Sequence, residues 1–376
     1  MSAGLPNVPR WDDHDWPGLP VLKQDVEADL CVVGLGGSGL SCISEALDLG
    51  VSSVVGIDAR DVASGAAGRN GGLLLAGTVD FHHDAVAKLG RERVLALTAA
   101  TEDERRRIAE ETPGVSRITG SLRIAEDDAE LDDCARQFDA MRADGLPVEH
   151  YEGPEGRGLL FPTDGVMQPL RRCRALAARV QERGARLFGN ATARTVESGR
   201  VRTDGFTVTA RHIVVAVDGN LELLLPELRS EVRTARLQML AAAPSLPLRF
   251  PRPVSLRYGY DYWQQLDDGS VLLGGGRDRF ESAEWTGESD PTATVQDYLT
   301  RQLRERLGIE SEITHRWAAS VAFTDSGLPI LRTLSDGVTV LGAYSGTGNL
   351  MGALCGRAAA RLALRDDHSL AALIQD

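Results

Sequence analysis

Gly34, Gly36 and Gly39 stand in the spacing G-x-G-x-x-G, and the acid Asp58 follows about 20 residues on. Residues of these types in this order suit the binding of a dinucleotide. Gly34 permits a tight turn, Gly36 lets backbone approach a pyrophosphate, and Gly39 lets a helix pack closely on a strand. Gly37 and Ser38 complete a turn whose unpaired N–H groups, backed by the helix dipole, favour an anion. The Asp58 carboxylate can accept hydrogen bonds from a ribose diol. Glycine is common here, 40 of 376 residues, so the spacing alone decides little. Its surroundings decide more. An apolar, β-prone run at 29–33 precedes the glycines, a helical pattern (Leu40, Ile43, Ala46, Leu47) follows, and a second β-prone run at 53–57 ends on the acid.

The segment after Asp58 has the composition of a loop facing a ligand. Ala59 and Arg60 lead to Ser64, Gly65, Ala67 and Gly68, then to Arg69, Asn70, Gly71 and Gly72. Small side chains and free N–H groups suit a loop running against a large flat ligand; a flexible connection is the alternative. A second strand–glycine turn–helix lies near the other end of the chain. A short buried strand at 338–341 is followed by Ser345, Gly346, Thr347, Gly348 and Asn349, and a helix from Leu350 to about 363. The N–H groups at that helix start can receive another electron-rich part of the same ligand.

Size and composition narrow the classes. A chain of 376 residues holds two domains or one large one, and 43% hydrophobic residues can bury a substantial core. The net charge of −13, with no basic stripe, excludes a nucleic-acid partner and favours solubility. The N-terminus has neither the basic start nor the apolar run of a secretory signal, and no stretch is long and apolar enough for a membrane span. Five scattered cysteines without a C-x-x-C pattern read as reduced thiols, a cytoplasmic location and no metal site.

Taken in order, residues 1–28 read as an arm laid across the body by Trp11 and Trp16. A charged helix is expected over 84–112, with the run from Thr101 as a capped, solvated face; a strand over 120–125 and a helix over 127–143 follow. His82 and His83, adjacent and so pointing apart, are not expected to share a metal. Pro169 opens an amphipathic helix to about 183, and strand–turn–strand covers 184–196. A buried strand at 211–219 ends on Ala216, Asp218 and Gly219. A β-rich block then spans 237–243, 254–260, 262–266 and 270–275, followed by a helix at 291–308 and a strand from about 313. Tyr258, Tyr260 and Tyr262 alternate, so they are expected on one strand face, as walls of a substrate cavity or as cover for the sheet.

The motifs, in this order, resemble those of the D-amino-acid oxidase / glycine oxidase / sarcosine oxidase superfamily (the DAO family), and most of all its γ-glutamylputrescine oxidase-like branch. VVGLGGSGL at 32–40 is similar to the family's N-terminal FAD fingerprint, and SGAAGRNGG at 64–72 to the G-A-S-G-R-N-G-G loop along the flavin. GSLRIA at 120–125, VVAVDG at 214–219, LLGGGR at 272–277, HRW at 315–317 with TDSGLP at 324–329, and YSGTGN at 344–349 match later family segments. The resemblance implies an α/β (α+β) fold, with a Rossmann-like FAD-binding domain (1–80, 151–225 and 312–376). An antiparallel-sheet substrate domain (81–150 and 226–311) is discontinuous with it. It also implies non-covalent FAD, because the flavin-linking cysteine or histidine of relatives is missing near Ser320, Val321 and Gly68. Ala193 falls where relatives contact adenine through backbone.

The activity so implied is oxidation of the C–N bond of an amine or amino-acid-like substrate to an imine, by hydride transfer to flavin N5, with O2 as acceptor giving H2O2. A dehydrogenase passing electrons to a quinone or carrier protein, and a non-catalytic flavoprotein, are the alternatives. Arg277, Tyr262 and Thr347 are the candidate catalytic residues; Arg257, Tyr258, Tyr260 and Trp263 are candidates for binding substrate. Arginines that hold the substrate carboxylate in glycine oxidase-like relatives have no counterpart at 320–322 or 346–347.

Overall fold

The structure, a computed structural model, describes residues 5–374 apart from residues 246 and 336. Residues 1–4, the start of the expected arm, lie outside the described residues, as do 375–376. Among those described, two eight-stranded sheets dominate. In the first, Val26–Val33 pairs in parallel with Val54–Ile57 on one side and Thr207–Val215 on the other; Arg186–Phe188 and Val338–Gly342 extend the parallel set. Both faces are covered, which is why these strands read as continuous apolar runs. Leu30 and Val32 face a helical layer carrying Leu40, Ile43, Leu176 and Leu354; on the other face Cys31 and Val33, with Val215 and Val340 of neighbouring strands, cluster with Leu221, Leu225 and Leu228. Each such fully buried side chain stabilises the fold by roughly 1.5–3 kcal/mol.

Three helices form that layer. Gly37–Asp48 starts at the glycine turn. Pro169–Glu182 starts with proline at its first position, where the missing N–H costs nothing, and the Gln168 side chain accepts from Arg171 N at 2.6 Å. Met351–Arg365 crosses Gly37–Asp48 so closely that a Cβ on Gly356 would meet Ser38 O at 2.1 Å.

The second sheet runs in the order Ile313–Phe323, Arg233–Ala242, Val271–Gly274, Asp261–Gln265, Val254–Leu256, Ser121–Ile124, Gly156–Phe161, Glu149–Gly153. Its members correct the expected division of the chain. Ile313–Phe323 and Gly156–Phe161 belong here, although 312–376 and 151–225 were assigned to the other domain. The hairpin at 149–161 has no strong alternation in sequence and was not anticipated.

Other local expectations change as well. The helix over 84–112 is two helices, His82–Leu89 and Arg91–Glu111, broken at Gly90, whose φ is 84°. Thr101 caps nothing: it lies mid-helix, with Oγ donating to Leu97 O and accepting from Gly77 N. The charged run is not all solvated, because Glu104 is buried against Arg357 at 2.8 Å. The N-terminal arm does cross the body, with Trp11 Nε1 on Asn70 O (2.7 Å) and Trp16 Nε1 on Asp61 (3.0 Å).

Candidate active site

One cavity of about 1400 Å³ opens between the two sheets and reaches every loop singled out in the sequence. Its first wall is the glycine turn. Gly34 has φ 100°, and a Cβ there would meet Ala216 O at 2.6 Å; a Cβ on Gly39 would meet Gly34 O at 1.9 Å. The turn is thus closed by two residues that have no room for a side chain. The N–H groups of Gly36, Gly37 and Ser38 precede the first intrahelical bond, Leu40 N to Gly36 O, and bond no described residue. Arg172 stands beneath them. It is 1% exposed, donates to Gly37 O (3.3 Å) and Ser41 Oγ (3.0 Å), and its Nε has no partner among the described residues. This buried cation behind the anion-facing turn was missed in the sequence, where it is one charged residue of an amphipathic helix.

Asp58 accepts from Leu35 N and Arg60 N, each at 2.9 Å, and so fixes the start of the turn as well as lining the cavity. Burial raises its pKa against those two bonds. The 64–72 loop is tied down on its outer side. Arg69 donates to Ser64 O, Ala318 O and the Asn7 backbone and side chain, so its guanidinium holds loop, arm and sheet together. Burial and the nearby Arg60 bring its pKa down to about 10. Asn70 donates to Ala66 O and Ala67 O, and its Oδ1 accepts from Gly72 N.

Asp218 holds backbone. It accepts from Ala322 N and Tyr344 N, both at 3.2 Å, and joins the first sheet to the second; burial pushes its pKa up to about 6. Next to it the 343–350 turn is formed by left-handed residues, Ala343 (φ 57°), Ser345 (φ 51°) and Gly346 (φ 92°). The N–H groups of Gly346, Gly348 and Asn349 bond no described residue.

Of the expected cofactor residues, Gly39, Ser64, Gly68 and Gly72 do not reach the cavity surface; they shape the backbone behind it. The others line it, Ala59, Gly65, Ala193, Ala216, Gly219 and Leu350 among them. Two separated sets of free N–H donors, a carboxylate between loops and a long shared cavity fit an extended dinucleotide such as FAD. At Gly65 and Gly346 no atom lies within 4 Å of a built Cβ, so the walls leave room for it there.

The substrate-side residues separate. Tyr262 lines the cavity, its ring against Gly71 and Gly274, and burial raises its pKa. Arg277 lines it too; its guanidinium carbon lies 4.5 Å from the Phe323 ring centre and 5.3 Å from those of Tyr260 and Trp285, with no ion pair among the described residues. Thr347 is on the wall, but its hydroxyl donates to Tyr344 O at 2.7 Å. Trp263 is not on this wall. Strand alternation points it away from Tyr262, and it is 3% exposed, packed edge-on against Phe250. Arg257 also leaves the site: it pairs with Asp261 (2.7 Å) and Asp278 and donates to the Tyr298 hydroxyl. The three tyrosines do not share a strand face, because Val254–Leu256 ends early and Arg257 (φ 53°), Tyr258 (φ 55°) and Gly259 (φ 83°) make a turn. Tyr258 and Tyr260 reach the cavity from that turn, half exposed at its mouth.

The comparisons agree with this architecture. The chain is 26% identical over 387 residues to a probable oxidoreductase of Rhizobium meliloti (strain 1021), covering 96% of this chain and 88% of that protein. It is 25% identical over 375 residues to the gamma-glutamylputrescine oxidoreductase of Escherichia coli (strain K12), covering 92% and 85%. Among solved structures, glycine oxidase from Geobacillus kaustophilus superposes with a TM-score of 0.75 at 19% identity, covering 92% of this chain and 96% of that one. L-proline dehydrogenase from P. horikoshii superposes with a TM-score of 0.71, also at 19% identity, covering 92% and 96%. The family model described as FAD dependent oxidoreductase matches residues 29–362, and the chain belongs to that family, DAO.

Proposed function

We propose that this FAD-dependent oxidoreductase oxidises the C–N bond of an amine or amino-acid-like substrate. The observation that carries the reading is the shared cavity: the dinucleotide cradle and the Tyr262–Arg277 wall face one space. FAD, held there without a covalent link, supplies a two-electron acceptor for the hydride lost from the carbon next to nitrogen. The substrate leaves as an imine, whose hydrolysis gives a carbonyl compound and the freed amine; with O2 as final acceptor the electrons leave as H2O2.

The chain's own residues bind, orient and exclude water. Gly36, Gly37 and Ser38, with Arg172 behind them, hold the diphosphate, and Asp58 the adenosine ribose. The free N–H groups of Gly346, Gly348 and Asn349, at the start of the last long helix, hold negative charge at the other end. The Tyr262 ring limits where substrate can lie, and Arg277, with no carboxylate partner among the described residues, adds positive potential. Thr347, its hydroxyl proton committed to Tyr344 O, acts through its backbone position. No side-chain base is required once the amine enters neutral.

The test is anaerobic mixing of the purified, flavin-loaded protein with polyamines, N-methyl amino acids and both enantiomers of common amino acids. Bleaching of the flavin's blue absorption band by one of them is expected; a flavin that none of these bleaches, while dithionite does, rejects the reading. Re-oxidation by O2 compared with a quinone or dye then separates an oxidase from a dehydrogenase.

A further inference from the structure

Buried and half-buried cations in this fold are matched in two ways: Arg172 and Arg69 brace backbone, while others meet carboxylates. Arg236 pairs with Glu284, Arg257 with Asp261 and Asp278, and Arg357 with Glu104 and Glu111. Arg123, in the cavity wall, has no ion pair among the described residues. Its guanidinium lies 4.2 Å from the Phe81 ring centre and 5.9 Å from that of Phe161, and Nη1 donates to Gln137 Oε1 at 2.8 Å. Its remaining N–H groups bond no described residue. The nearby carboxylates are committed elsewhere. Glu130 accepts from Tyr258 N (2.6 Å) and Glu126 N (2.9 Å); Asp164 accepts from Ser121 Oγ (2.6 Å) and Ala76 N (3.3 Å). A planar cation with a free fork beside an amide, between aromatic rings, matches a planar monoanion, which is a carboxylate. A phosphate dianion would leave one negative charge unmatched.

The sheet sets where that carboxylate lies. Arg123 is in register with Ser255, and Ser255 with Tyr262, so the three stand side by side on one face across adjacent strands, all lining the cavity. Two inter-strand steps, about 10 Å, separate the Cα atoms of the arginine and the tyrosine, and both side chains rise from the same face. The small Ser255 forms the floor between them. An α-amino acid is too short to reach from one to the other.

We propose that Arg123 is the carboxylate-binding residue of the cavity, and that the substrate is a chain whose carboxylate lies about 10 Å from the C–N bond oxidised near Tyr262. This rests on the C–N reading above for the reactive end only; the carboxylate site stands on its own geometry.

The first test needs no turnover. Titration calorimetry on the flavin-loaded protein compares caproate with caproamide, its neutral isostere. Caproate is expected to bind at least about 10-fold tighter, and Arg123→Gln to remove the difference. Equal binding of the two by wild-type protein, or a preference that survives R123Q, overturns the proposal. So does a preference erased by Arg277→Gln and kept by R123Q. If R123Q fails to hold flavin, Arg123→Lys, which keeps charge and loses the fork, is expected to weaken caproate several-fold and leave caproamide unchanged; equal caproate binding by R123K overturns the fork assignment.

The second test follows anaerobic flavin reduction by glycine, γ-aminobutyrate, ε-aminocaproate and longer homologues against matched alkylamines. Half-saturation is expected to fall as the chain lengthens and to favour the acid over its alkylamine; glycine acting best overturns the spacing. A retained caproate preference with no amine reducing the flavin upholds the carboxylate site and rejects the C–N reading.

Discussion

Asn349 donates to Asn70 Oδ1 at 3.1 Å and to Leu73 O at 2.8 Å, joining two cavity loops 279 residues apart in sequence. Asn70 in turn holds its own loop by donating to Ala66 O and Ala67 O. Asn349→Ala is therefore expected to weaken flavin binding about 10-fold, at a stability loss of about 1–2 kcal/mol. Fluorescence titration of apoprotein with FAD measures the first and thermal melts the second. In a double-mutant cycle with Asn70→Ala the coupling should exceed about 0.5 kcal/mol, and strict additivity would mean the clip does not act as a unit.

Gly39 and Gly65 make a matched pair of controls. A Cβ at Gly39 meets the Gly34 carbonyl at 1.9 Å, whereas nothing lies within 4 Å of one at Gly65. Gly39→Ala should destabilise the apoprotein by several kcal/mol, on the order of 3, and abolish flavin binding. Gly65→Ala should leave the apoprotein's melting unchanged and act only on flavin affinity. Melts of both apoproteins decide it.

Arg277 and Tyr262 should affect reaction more than folding. With no ion pair to lose among the described residues, Arg277→Gln is expected to change stability by less than about 1 kcal/mol while slowing flavin reduction at least ~10-fold. Tyr262→Phe keeps the ring on Gly71 and Gly274, so any change in reduction rate reports the hydroxyl. Stopped-flow reduction beside melting curves separates the two effects.

Asp164 carries a pH signature. Burial pushes its pKa up to about 6, above the value near 4 of an exposed aspartate. The folded state thus binds its proton more tightly than the unfolded chain. That stability is fully present below about pH 4 and is lost as pH rises through about 6. Asp164→Asn removes the titration, so the variant's stability should gain on wild type as pH rises from about 4 to 7, by up to about 3 kcal/mol, read from melts across that range. A gap that stays flat with pH would mean Asp164 does not titrate in this range.

The parts of the site legible in sequence are those where backbone stereochemistry dictates residue type. Gly34 and Gly39 had to be glycine because carbonyl groups occupy the Cβ positions, and Asp58 follows at the end of a strand that pairs in parallel with the first. Tyr258, Tyr260 and Tyr262 do not share one strand face because period-2 alternation does not run through 257–260, where the chain turns with left-handed residues; Arg257 and Trp263, odd-numbered among them, already fall off that face by the same alternation. Such a turn at Arg257 and Tyr258 has no signal in residue type, since neither favours positive φ. Arg123 and Arg172 were passed over for another reason. Whether a buried arginine is paired depends on residues distant in sequence, such as Phe161 for the one and the glycine turn for the other. The split of the charged helix at Gly90 was written in the sequence, as a glycine within a helical pattern, and was read through.

The crossing of Gly37–Asp48 by Met351–Arg365 makes the cradle depend on segments far apart in the chain. The helix after the glycine turn packs on one more than 300 residues further along the chain, so a fragment lacking that later helix has only half a cradle. Fragments that stop short of residue 351 should therefore purify colourless, however completely their first βαβ unit has formed.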